Sequence, residues 1–250
     1  MNPKGKTALI TGGAVRVGKA ITLALARSGA NVVINYNRSG DEADTTCQEA
    51  TALGVGAMAV QADVGNLNDV ERMVASAADR FGGIDILVNS ASLWRQTPFP
   101  IDDYRDWHRV TNILINGSLY VANNVAPLML ASGEGVIINI IDLAAFEPWK
   151  NFIAHSVGKA GLLALSKQLA LELAPIVRVN AIAPGPVLPP PDYSEERVAQ
   201  TAKRTLLNRW GEPEDVAEAV LYFISAKYIT GDVLLIDGGE HFAHRKPRDG

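Results

Sequence analysis

The residues whose types and spacing could do chemistry begin at Thr11-Gly12-Gly13, with Gly18 a little further on. A short apolar run, residues 7–10, reads as a buried strand that stops at these glycines. An amphipathic run, residues 17–28, follows and reads as a helix. A strand, a glycine-rich turn and a helix N-terminus together aim free backbone N–H groups at a phosphate. Gly12 lets the chain turn sharply, and Gly18 lets the helix close on the strand. Glycines that merely serve a turn are the plainer reading. The second candidate is Tyr36-Asn37-Arg38-Ser39, just past the next apolar run. A dinucleotide fold that prefers NAD ends this strand with an acid for the ribose 2′-hydroxyl. Here the acid is absent, and Arg38 and Ser39 offer charge-assisted bonds to a 2′-phosphate, so the expected cofactor is NADP(H). An exposed Arg and a helix-capping Ser are the alternative. Further along, Asp63 is placed to meet an adenine and Asn89 the middle of a dinucleotide.

These residues need elements to gather them. Apolar, β-branched runs at 31–35, 56–61, 84–89, 135–141, 177–183 and 233–237 join the first as seven strands. Helical runs separate them at 41–53, 67–81, 101–111, 114–130, 152–173, 194–207 and 213–225. Residues 184–192 hold five prolines and cannot be regular structure. Nearly uncharged strands alternating with helices imply a parallel sheet buried on both faces. Right-handed crossovers give a single-domain, Rossmann-like, doubly wound α/β sheet of order 3-2-1-4-5-6-7. Ligands in such sheets lie outside the C-terminal strand ends, a rule that collects Gly12, Asn35, Asp63, Asn89, Asp142 and Pro184 on one edge.

Composition narrows the rest. The chain has 250 residues, 48% hydrophobic and 20% charged, and its net charge of −4 provides no basic face for nucleic acid or membrane. One cysteine, Cys47, makes no internal disulfide, and four scattered histidines make no metal-ligand cluster. No apolar run reaches the roughly 18 residues that span a bilayer. A cytoplasmic protein with a small-molecule substrate is expected. The domain is expected to cover residues 1–243, followed by a polar, frayed tail at 244–250.

The chain resembles the short-chain dehydrogenase/reductase family from about Lys6 to Phe242. Thr11-Gly12…Gly18 resembles its T-G-x-x-x-G-x-G motif, Val88-Asn89-Ser90-Ala91 its N-N-A-G, Pro184-Gly185 its P-G, and Ile229-Thr230-Gly231…Asp237-Gly238-Gly239 its C-terminal motif. The resemblance implies hydride transfer with a nicotinamide. It implies cofactor contacts from Gly12, Arg16, Val17, Gly18, Asn37, Arg38, Ser39, Asp63, Val64, Asn89, Lys159, Pro184, Gly185 and Val187. Family members pair through the long helices 114–130 and 152–173, so a homodimer or homotetramer is implied. A narrower resemblance is to pteridine reductases. They too carry Arg at the second glycine position (Arg16), a basic turn for NADP (Tyr36–Ser39), and Asp where most of the family has Ser (Asp142). Ser92, Trp94 and Phe152 match their pterin pocket, so a substrate site of Arg16, Ser92, Trp94, Asp142 and Phe152 is implied.

The family's catalytic set is Asn, Ser, Tyr and Lys. Lys159 keeps the Lys, but His155 stands at the Tyr position one helical turn before it, and Leu114 at the Asn position. Catalysis is therefore expected to rest on Asp142, His155 and Lys159. Asp142, directly or through a water, supplies the proton; His155 and Lys159 orient cofactor and substrate. The substrate lies between Trp94 and the nicotinamide, capped by residues 184–207. Two readings stay open: an NADPH-dependent reductase of a planar ring or carbonyl, pterins included, and a catalytically degenerate member acting as an NADP(H)-binding or regulatory protein.

Overall fold

The computed structural model describes residues 1–245. Seven parallel strands are β1 (Thr7–Thr11), β2 (Asn31–Tyr36), β3 (Ala57–Gln61), β4 (Ile86–Asn89), β5 (Gly135–Ile140), β6 (Val177–Pro184) and β7 (Val233–Ile236). They form one sheet of order β3-β2-β1-β4-β5-β6-β7, as the alternation of the sequence implies. The helices are α1 (Arg16–Arg27), α2 (Gly40–Ala52), α3 (Leu67–Phe81), α4 (Arg105–Thr111), α5 (Ser118–Ser132), α6 (Ile153–Leu173), α7 (Glu195–Arg204) and α8 (Pro213–Ser225). One apolar layer joins α1, α2 and α8 to the sheet; the other joins α3, α5 and α6 to the opposite face. Both faces are thus covered, which is why strands such as Ile86–Asn89 carry no alternating polar residue.

Three local differences from the sequence expectation have physical causes. First, α4 and α5 are not two separate helices. A π-helical stretch, Asn112–Gly117, joins them into one rod from Arg105 to Ser132. Its Gly117 packs on Val64, where a Cβ would come within 2.9 Å of that side chain. This rod is long and apolar enough to cross a membrane, yet half of its apolar window is buried inside the molecule. Second, β4 starts at Ile86, because Asp85 turns its carboxylate back to Lys6 and to the Thr7 N–H. Third, α7 buries none of its residues, so only tethers hold it. The C-terminal segment continues as a 3-10 turn, Glu240–Arg245, and the remainder of the expected tail, 246–250, lies outside the described residues.

Candidate active site

The glycine turn is built for close approach. Gly12 sits at φ 64°, and a Cβ there would meet the Ala91 backbone at 3.1 Å. A Cβ on Gly18 would lie 2.0 Å from the Gly12 carbonyl oxygen, so α1 closes on the turn only because both are glycine. Arg16 occupies the left-handed region at φ 54°, which explains why the family pattern has glycine there. The α1 N-terminus has no side-chain cap and no acidic residue in its first turn. Its backbone donors and dipole are left for an anion, which fits a dinucleotide pyrophosphate.

Two polar residues brace this turn. Thr11 Oγ1 accepts from the N–H groups of Ser90 and Ala91, both at 3.0 Å, tying the β4 exit loop to the β1 tip. Asn35 Oδ1 accepts from Gly12 N–H at 3.3 Å while its Nδ2 donates to the Ala62 carbonyl at 3.0 Å, so it binds the tips of β1, β2 and β3 together. Sequence reading placed Asn35 on the ligand edge; the structure makes it a brace beneath that edge.

Arg38 and Asn37 are exposed just past β2. Arg38 makes no ion pair or hydrogen bond among the described residues, and Ser39 precedes α2 without using its hydroxyl as a cap. The alternative of a helix-capping Ser is therefore corrected, and both groups stay available to a 2′-phosphate. Asp63 is partly engaged: Oδ1 accepts from Gly65 N–H at 2.9 Å, and Oδ2 pairs with Arg109 at 2.6 Å. Asn89 is turned into the molecule, only 3% exposed. Its Nδ2 donates to Asn139 Oδ1 at 2.9 Å, and Asn139 donates to Ser166 Oγ at 2.8 Å, a buried polar chain from β4 to α6. Asn89 was expected to meet the middle of a dinucleotide; it stands at the β4 tip with its Nδ2 engaged and its Oδ1 buried without a partner. Val64 and Val187 are buried and Val17 half-buried, as apolar flanks of the cleft. Pro184 and Gly185 end β6 beside β7, with Gly185 N–H donating to the Ile236 carbonyl at 2.9 Å.

The catalytic candidates do converge. Asp142 follows β5 and begins a 3-10 turn, its Oδ1 accepting from Ala144 N–H at 3.0 Å. Its Oδ2 lies 2.6 Å from His155 Nε2, and His155 is 2% exposed. Burial alone would raise the Asp142 carboxyl, but the Lys159 charge and the His155 hydrogen bond outweigh it and hold the group below the usual carboxylate range. An ionised carboxylate at this distance assigns the proton to Nε2, and His155 Nδ1 is left buried without a partner. Asp142 was expected to supply the proton; here its Oδ1 accepts from Ala144 and its Oδ2 lies against His155. Lys159, on the same face of α6, donates to the Ile140 carbonyl at 2.8 Å. Its burial pulls its pKa down from the ordinary lysine value, against the opposing pull of Asp142.

Aromatic rings wall this pair. Trp94 lies 4.4 Å from Phe152, 5.3 Å from Trp149 and 5.0 Å from His155, centroid to centroid. Trp149, which sequence reading missed, stacks on His155 at 5.9 Å and 12°. The signal was present in Trp149-Lys150-Asn151-Phe152 just before α6. Thr97, also missed, is the fastener: its N–H donates to the Asn151 carbonyl at 2.7 Å and its Oγ1 accepts from Ala154 N–H at 3.0 Å. It joins the Trp94 loop to the start of α6. Ser92 is exposed on that loop.

Leu114 is fully buried among Val110, Ala154, Leu93 and Trp107. A Cβ on Gly158 would lie 2.6 Å from Leu114 Cδ1, so the glycine before Lys159 makes room for the leucine. Over the cleft runs the proline segment, held where Arg16 Nη2 donates to the Leu188 carbonyl at 3.1 Å. Beyond it α7 is tethered by Trp210 Nε1 to the Val198 carbonyl at 2.9 Å and by the Arg204–Glu240 ion pair.

Known proteins share this architecture. A family model described as Enoyl-(Acyl carrier protein) reductase matches residues 13–241. A 3-oxoacyl-[acyl-carrier-protein] reductase of Synechocystis sp. is 37% identical over 239 residues, covering 94% of this chain and 96% of its own. A crystal structure of FolM Alternative dihydrofolate reductase 1 from Brucella canis, complexed with NADP, superposes with a TM-score of 0.91 at 34% identity, over 98% of this chain and 97% of that one. A crystal structure of a putative short-chain alcohol dehydrogenase from Sinorhizobium meliloti superposes with a TM-score of 0.89 at 28% identity, over 95% and 97%. The glycine turn, the strand order, Lys159 on α6 and these likenesses agree: the chain belongs to the short-chain dehydrogenase/reductase family.

Proposed function

We propose that this protein is an NADPH-dependent oxidoreductase that reduces a flat, nitrogen-containing ring, a pterin being the leading candidate. The observation that carries this reading is the Asp142–His155 pair, 2.6 Å apart at the foot of the Trp94, Trp149 and Phe152 rings. A carboxylate offers hydrogen-bond acceptance to ring N–H groups, and the rings offer a stacking wall. A linear acyl chain requires neither.

NADP(H) is the cofactor, in keeping with the NADP bound in the FolM relatives. When bound, it supplies the hydride. The α1 N-terminus and Gly12 hold its pyrophosphate; Arg16, Val17 and Gly18 flank that turn. Asn37, Arg38 and Ser39 hold the 2′-phosphate. Asp63 and Val64 bound the adenine side, and Lys159 has N–H donors left for a ribose. Pro184, Gly185 and Val187 bound the nicotinamide side. Substrate is held by Trp94, Phe152 and Asp142, with Ser92 and Arg16 at the mouth. His155 positions Asp142 and keeps it ionised. Exposed Leu119 on α5 and Val157 and Leu171 on α6 support the homodimer or homotetramer expected of such helices.

Purified protein given NADPH should oxidise it in the presence of a dihydropterin, and faster than with a 3-oxoacyl thioester. Turnover of the thioester alone would overturn the ring assignment. One observation favours a second reading, a degenerate NADP(H)-binding protein. Leu114, at the position where the family carries Asn, is fully buried in an apolar cluster and packs against Gly158. Tight NADPH binding without turnover of any ring or carbonyl would establish it.

A further inference from the structure

We propose that the substrate enters as a cation, a cyclic C=N already protonated to the iminium, in preference to a neutral C=O. This rests on the reductase reading above and names its substrate class. Adding hydride to a neutral carbonyl leaves an alkoxide that must be given a proton. No group at the centre is free to give one. Both Asp142 oxygens already accept hydrogen bonds, from Ala144 N–H and His155. The Nε2 proton of His155 is committed to Asp142, and Nδ1 is enclosed away from any partner. Lys159 gives one N–H to the Ile140 carbonyl, and its remaining donors are those assigned above to the ribose.

A carboxylate beside a developing alkoxide raises the barrier. Beside an imine it increases the fraction that carries a proton. The ring walls act in the same sense. Trp149 and Phe152 stand at 88° to each other, Trp94 packs against both and against His155, and Trp94, itself 50% exposed, is the ring of this cluster open to a cation. The side chains that act on Asp142 are Lys159 and His155, both on α6. Glu147, Asp237 and Arg204 act on Glu240 instead, and His241 is hydrogen-bonded to Asp237.

The step balances without an enzyme acid. The hydride of NADPH forms a C–H bond at the iminium carbon, the C=N π pair becomes the lone pair of the product amine, and NADP⁺ leaves. The positive charge passes from substrate to nicotinamide, so the total charge within the pocket is unchanged.

Three compounds of one shape test this: 3,4-dihydroisoquinoline, its N-methyl iminium salt and 1-tetralone, each with NADPH. The salt cannot lose its charge, so its reduction should be flat over roughly pH 5 to 9. The imine should lose about tenfold per unit above its own pKa, and the ketone should be slower by about 100-fold or more. A ketone rate within a few-fold of the salt, or an imine rate that ignores the imine's own pKa, overturns the proposal. If none is turned over, quenching of tryptophan fluorescence separates the two ideas. Saturable binding of the salt, about tenfold or more tighter than 1-tetralone, lost in Trp94→Ala and kept in Trp94→Phe, supports cation recognition while the reductase reading fails. Equal binding of salt and ketone sinks the cation.

Discussion

Replacing Asp142 by Asn asks the most of the site. Ala144 N–H is always a donor, so it claims the amide oxygen, and the amide NH₂ must then face His155 Nε2. Two donors cannot face each other, so the imidazole proton has to move to Nδ1, which is buried and has no partner. The hydrogen bond survives as a neutral one. Charge-assisted bonds contribute about 1.5–3 kcal/mol and neutral ones about 0.5–1.5, so this part costs about 1–2 kcal/mol. Lys159 also loses its counter-charge; a stranded buried charge costs about 3–5 kcal/mol, softened here because burial already favours the neutral amine. A total of about 2–4 kcal/mol at neutral pH follows. The pH dependence has a definite sign. Asp142 is depressed in the folded state, so its stabilisation is present above the unfolded value of about 3.9 and disappears as pH falls through the lower folded value. Lys159 is depressed too; its penalty is fully present below its folded pKa and is relieved as pH rises towards about 10.4. Urea unfolding of both proteins should therefore show a gap that is widest near neutrality and shrinks under strong acid. Nitrogen-15 NMR of the imidazole should show the proton on Nε2 in the wild type and on Nδ1 in Asp142→Asn. A wild-type Nδ1 proton, or a stability gap unchanged under strong acid, would refute the reasoning.

Arg38→Ala should weaken NADPH binding by about 10- to 100-fold and leave NADH within a few-fold, as measured by titration calorimetry; equal losses would remove the 2′-phosphate assignment. Gly18→Ala must displace the Gly12 carbonyl, which lies 2.0 Å from the added Cβ, and should abolish NADPH binding while lowering Tm by several degrees. His155→Tyr places a phenol beside Lys159 and should raise ketone reduction by about 100-fold or more, at the expense of the preference for iminium substrates. No gain would mean that Leu114, not His155, limits proton supply.

The fold was legible because it rests on period and polarity. Runs such as Val32–Ile34 and Ile86–Val88 are too short and too apolar to be anything but doubly covered strands. Gly12, Gly18, Asp142, His155 and Lys159 were legible because strand ends and helical spacing place them with little freedom. Side-chain direction was not. Asn35 and Asn89 stand at strand tips, but both are pulled inward by unmet backbone and amide groups that no linear pattern displays. The joining of α4 to α5 was hidden because one extra residue in a turn leaves polarity unchanged. Trp149 and Thr97 escaped because loop contacts depend on where the chain returns, here the bridge between Thr97 and Phe152.

The bond from Arg16 to the Leu188 carbonyl has a dynamic consequence. The same guanidinium that steadies the proline segment stands at the start of α1, where a pyrophosphate would draw it away. Turning it to an anion would break the bond to Leu188, so nucleotide binding is expected to loosen the proline segment while the Trp210 and Arg204 contacts keep α7 in place. Faster amide exchange around Leu188 with NADP⁺ bound would show it.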